Sequence, residues 1–106
     1  MRVIILLLLA LLLTSCAETE LKPFYVVIKG SSMAPTLVEG DVRLVYPTPF
    51  PDITVGSIVA YRSMRGDILH RVIERTERCL YTRGDNAPRD DGYCVTKGDY
   101  LGEVRL

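Results

Sequence analysis

The chain is poor in most of the residues that build chemical sites. Its 106 residues include one histidine, three cysteines and no tryptophan. One histidine cannot complete a zinc site with Cys79 and Cys94, whose separation lacks the paired spacing such sites use. There is no glycine-rich cradle for phosphate; the Gly-Asp pairs at Gly40, Gly66, Gly84 and Gly98 are turn signals. No cofactor or metal is therefore expected. Charge of one sign is not in excess, since 13 Lys and Arg face 13 Asp and Glu. Nucleic acid is thus not an expected partner. No apolar run reaches the roughly 20 residues that span a bilayer as a helix. Beyond the N-terminal leader no stretch repeats with the 3.6-residue period of a helix, so a helical bundle is excluded.

What is present starts with that leader. Arg2 and the unbroken apolar run Val3 to Leu13 have the layout of an export signal. Leu13-Thr14-Ser15-Cys16 resembles the lipobox of bacterial lipoproteins. The resemblance implies cleavage before Cys16 and a diacylglycerol group on its thiol. It places the protein in the cell envelope, held to a membrane by lipid and facing the extracytoplasmic side. Each buried acyl methylene contributes about 0.8 kcal/mol to such anchoring. The expected organisation is a signal peptide over 1–15, a lipidated cysteine and polar tether over 16–23, and one β domain over 24–106. In an oxidising compartment Cys79 and Cys94 could pair and clamp the stretch TRGDNAPRDDG between them. Two separate buried thiols are the alternative.

After the tether, β-branched and aromatic runs alternate with Gly, Pro and Asp turns. Phe24 to Ile28, Val42 to Tyr46, Ser57 to Arg62 and Ile68 to Glu74 read as strands. Cys79 to Thr82 and Gly102 to Arg105 supply the last two. Pro47 to Asp52 cannot continue a ladder and reads as a loop, and Arg65-Gly66-Asp67 reads as a turn. Short strands with frequent turns predict an all-β domain: a compact coiled sheet, or partly closed barrel, that hides its edges.

Within that domain one chemistry is open to the residues present. A serine nucleophile needs a base to take its proton and a third group to hold that base's tautomer. Ser31 or Ser32 could be the nucleophile, His70 the base, and an aspartate of the 85–91 stretch the third group. Equally, the serine pair could be turn residues and His70 a satisfied residue of a strand.

The local sequences narrow the choice. Gly30-Ser31-Ser32-Met33-Ala34-Pro35-Thr36-Leu37, followed by Gly40-Asp41, resembles the nucleophile box of type I signal peptidases. Gly56 to Tyr61 resembles the strand after it, and His70-Arg71-Val72-Ile73 resembles the base-bearing strand. Thr82 to Asp91 is similar to the third box of that family, and Leu101-Gly102-Glu103-Val104 to its closing strand. Most bacterial and organellar members carry lysine where His70 stands. The archaeal, endoplasmic-reticulum and some spore-former members carry histidine, and the chain resembles that branch.

The resemblance implies a fold of the signal peptidase and self-cleaving repressor type. It implies a serine endopeptidase that cuts exported precursors or signal-like peptides after small residues. In that reading Ser32 is the nucleophile, His70 the general base and acid, and Asp91 the orienting carboxylate, with Asp85 as the alternative acid. Ser31 and Met33 border the substrate and oxyanion region, Met33 as a core anchor. The position two before Ser32 is Gly30, which has no hydroxyl to offer an oxyanion. A non-catalytic lipoprotein of the same kind, binding an exported peptide or partner in its groove, is the second reading.

Overall fold

A computed structural model describes residues 22–106; the export signal and Cys16 lie outside the described residues. Six strands follow in order: β1 (Phe24–Val27), β2 (Val42–Tyr46), β3 (Ile58–Ser63), β4 (Gly66–Arg75), β5 (Leu80–Arg83) and β6 (Tyr100–Val104). They form one antiparallel sheet in the spatial order β1-β2-β6-β3-β4-β5. The domain is all-β, and none of its described helices is long and apolar enough to cross a membrane.

The sheet does not close, which corrects the expected partly closed barrel. β1 and β5 remain its two edges. It coils instead, bringing the end of β1 near β4, so that Val26, Ile28, Leu69 and His70 line one cleft over Ala60. The β5 edge is partly covered by its own continuation. The Asp91 N–H donates to the Thr82 carbonyl at 2.8 Å, and Leu80 bridges to Val95. The Cys79–Cys94 disulfide closes this segment at its base, across a separation of 15 residues. In the chain-entropy account a loop of about that length contributes ~3 kcal/mol.

The continuous apolar run Ile58 to Tyr61 explains the layering. Successive side chains on a strand point to opposite faces, and β3 is buried on both. Ile58 and Ala60 join a cluster with Ile28, Met33, Leu37, Val45 and Val104. Val59 and Tyr61 join the opposite one, with Phe50, Ile53, Val72, Leu80 and Val95. Gly102 lets β6 approach β2, because a Cβ there would lie 2.6 Å from the Tyr46 carbonyl oxygen.

Three local expectations shift. The β3–β4 turn is Met64-Arg65, one residue earlier than expected, with Ser63 pairing Gly66. Gly66 takes φ +105°, which a side chain disfavours. The Pro-rich loop contains one 3-10 turn, Phe50–Asp52, because buried Phe50 anchors it in the second cluster. β6 starts at Tyr100, where its pairing with Tyr61 follows a register shift between Ala60 and Tyr61.

Candidate active site

His70 sits in the middle of β4 at the point where β5 stops covering it. The β4–β5 ladder ends with Arg71 opposite Arg83, so Gly84 is the next residue to face His70. A Cβ on Gly84 would lie 3.1 Å from His70 Nε2 and 2.6 Å from the Ser32 carbonyl oxygen. The missing side chain therefore makes the room in which the imidazole and the Ser32 turn meet.

The turn that carries Ser32 is held by what surrounds it. Met33, 2% exposed, is buried in the first cluster, and burying a methionine side chain contributes roughly 1.5–3 kcal/mol. Leu37 is buried in the same cluster, and its N–H donates to the Met33 carbonyl at 2.9 Å. The Asn86 N–H donates to the Ser32 carbonyl at 2.8 Å, and Asn86 Nδ2 to that of Ser31 at 3.1 Å. Both serines are exposed. Ser32 presents its hydroxyl to the histidine, whereas Ser31 enters these bonds through its backbone. The Ala34-Pro35 peptide bond is cis.

Ser32, His70 and Asp91 come together. Ser32 Oγ is 3.1 Å from His70 Nε2, and His70 Nδ1 is 2.6 Å from Asp91 Oδ2. An ionised carboxylate can only accept, so Nδ1 carries the proton and donates it to Asp91. In the neutral ring Nε2 is then an acceptor, turned to the Ser32 hydroxyl. The His70 and Asp91 side chains are 13% and 14% exposed, which keeps water from screening the pair as it screens surface ion pairs. Burial pushes the Asp91 carboxyl up, but hydrogen bonds from Thr82, His70 and Tyr61 outweigh it and hold the group below its ordinary value.

Asp85, the alternative acid, does not hydrogen-bond the histidine. Arg71 grips it with two bonds of 2.8 Å, from Nε to Oδ1 and from Nη2 to Oδ2. Thr36 Oγ1 donates to it at 2.6 Å, and its own N–H meets Met33 Sδ at 3.3 Å. The Arg71 guanidinium holds the carboxyl down, to about 2. Arg71 Nη1 also donates to the Gly56 carbonyl at 2.9 Å. Asp85 thus ties the Ser32 turn to β4 and to the start of β3.

Sequence reasoning missed four residues here: Gly84, Thr82, Tyr61 and Arg71. Tyr61 read as one more apolar strand residue, yet a buried tyrosine needs a partner for its hydroxyl. That requirement was the available signal. Its OH donates to Asp91 Oδ2 at 2.7 Å, and Thr82 Oγ1 donates to the same oxygen at 2.5 Å.

A hydroxyl, an imidazole and a carboxylate in this row can remove the serine proton and return it to a leaving group. The Ser32 N–H donates to no partner among the described residues. Comparison with protein-family models, curated proteins and solved structures finds no match.

Proposed function

We propose that the chain is a membrane-tethered serine endopeptidase of the signal peptidase type, in its histidine branch, acting on exported precursors or signal-like peptides. One observation carries the reading: the Ser32–His70–Asp91 row, with its proton directions fixed by an ionised carboxylate. The coiled open sheet with its nucleophile turn is read as the signal peptidase and self-cleaving repressor architecture.

In this mechanism Ser32 Oγ attacks the scissile carbonyl while its proton passes to His70 Nε2. Negative charge gathers on the carbonyl oxygen, where the Ser32 N–H can donate. His70 then gives the proton to the leaving amine as the C–N bond breaks, leaving an ester on Ser32. Water, deprotonated by His70, attacks that ester, and Ser32 recovers its proton. Asp91 holds the imidazole in the required tautomer throughout and balances its charge.

The cleft beside Ser32, about 340 Å³, supports a peptide substrate. The end of β1 and residues 67–70 of β4 form its walls, offering strand backbone to an extended chain. Ala60 is among its lining residues.

The test is cleavage of an Ala-x-Ala peptide. The parent should cut it, and Ser32→Ala and His70→Ala should each abolish cutting, a loss on the order of a million-fold. Equal rates for Ser32→Ala and parent overturn the catalytic reading. Binding of the peptide without cleavage by the parent would assign the cleft to a binding module. The lipid tether is checked by mass spectrometry of the mature N-terminus, where an unmodified Cys16 refutes it.

A further inference from the structure

Asp91 Oδ2 accepts more hydrogen bonds than a histidine-orienting carboxylate requires. Besides His70 Nδ1, it takes the hydroxyls of Tyr61 and Thr82. Behind Tyr61 stands Tyr93, whose OH lies 3.1 Å from the Tyr61 OH. Proton counting orders the group. Each hydroxyl has one proton. Thr82 Oγ1 lies 2.5 Å from Asp91 Oδ2 and 3.2 Å from the Tyr61 OH, so its proton goes to the anion, as does that of Tyr61, and Tyr61 can then only accept from Tyr93. The Tyr93 hydroxyl therefore points at Tyr61, and Tyr61 points at Asp91.

The two tyrosines are also packed as one unit. Their rings meet edge to face, with centroids 5.9 Å apart and planes at 76°. Tyr61 is fully buried in the second cluster, and burial pushes its hydroxyl far above the ordinary tyrosine value, so it stays a donor. Tyr93 is 41% exposed and sits next to Cys94 of the disulfide. A bond chain thus runs from the clamped outer segment through the core to the carboxylate.

We propose that Tyr61 and Tyr93 are positioning residues in series, sharing Asp91 Oδ2 with His70 and setting how strongly that oxygen holds the imidazole. The role in catalysis rests on the peptidase reading above, but the coupling itself does not. Donors on one oxygen compete for its electron density, so removing the Tyr61 hydroxyl strengthens the bond from His70 Nδ1. Hydrogen bonds in a chain polarise one another. Loss of the Tyr93 hydroxyl weakens Tyr61 as a donor and acts in the same direction, by less.

The chain's one histidine gives a readout that needs no activity: the NMR resonance of the His70 Nδ1 proton. Tyr61→Phe should move it to lower field. Tyr93→Phe should move it the same way by a smaller amount, and the double variant should match Tyr61→Phe alone. An unmoved resonance in Tyr61→Phe overturns the proposal, as does a Tyr93→Phe effect that persists undiminished in the Tyr61→Phe background. Were Tyr61→Phe to unfold, Tyr93→Phe decides by itself: an unmoved resonance there overturns the series. In the peptide assay the same variants should change kcat, Tyr61→Phe by more than Tyr93→Phe, and leave KM unchanged. A protein that shows the resonance shifts but cleaves nothing loses the peptidase reading and keeps the coupling; one that cleaves without the shifts does the reverse.

Discussion

Asp85 and Asp91 leave the same strand, β5, by the same loop, and end in unlike company. Asp85 meets a guanidinium, one threonine and a methionine sulfur. Asp91 meets an imidazole and two hydroxyls. Both carboxyls are held below their ordinary value, for different reasons. Hydrogen bonding from the Arg71 guanidinium dominates at Asp85, whereas at Asp91 neutral hydroxyls and the histidine overcome burial. An arginine partner is permanently charged and cannot accept or release a proton in a working range. A histidine partner can. The ion pair therefore builds the site's frame, and the Asp91 pair is the one suited to chemistry.

Variants can break this contrast, beginning with the largest effect. Asp91→Asn keeps the side chain's shape but offers an amide N–H or a weaker acceptor to His70, which favours the wrong tautomer. The peptide assay should show kcat down about 10⁴-fold with the fold intact by circular dichroism. A loss no greater than that of Asp85→Asn would erase the distinction between the two carboxylates.

Gly84→Ala tests the space between Ser32 and His70. The added methyl must displace the Ser32 carbonyl or the His70 ring, and a displacement of about 1 Å costs on the order of 10²-fold in rate. A crystal structure of the variant should show a Ser32 Oγ to His70 Nε2 gap wider than 3.1 Å.

Asp85→Asn should act mainly on stability. It leaves Arg71 without its carboxylate, and thermal or urea unfolding should register a loss of about 1–3 kcal/mol. The sign of the pH dependence follows from the depressed value of about 2. Asp85 contributes its stability fully above the unfolded carboxylate value, near pH 4, and loses it as pH falls toward 2. The gap between parent and variant should therefore close over that acid window. A gap that stays constant down to pH ~2 would mean that the ion pair is not its source.

The fold was legible wherever a strand's burial matched its own residues. Val42 to Tyr46 is β2 at both ends, and β1, β3 and β5 fall within one residue of expectation. Edges and turns were less legible. Met64, fully exposed at the β3–β4 turn, carries no turn signal of its own. The start of β6 depends on a bulge in its neighbour, which no property of Tyr100 announces. Sheet closure was misjudged because β1 and β5 read as ordinary strands whether or not they pair.

In the candidate site, local sequence singled out Ser32 within its bend, the lone His70 and a small set of aspartates, of which the family resemblance named Asp91 with Asp85 as the alternative. It also placed Cys79 and Cys94 where a bridge could form. All of these are properties of neighbouring residues along the chain. Which aspartate faces the histidine was settled by tertiary structure, because the answer depends on the arginine and hydroxyls that other strands bring to each carboxylate. The same holds for Tyr61 and Gly84. Their parts in the site arise only where β3, β4 and the 84–91 segment converge, and a tyrosine or glycine reads alike on its own strand with or without that meeting.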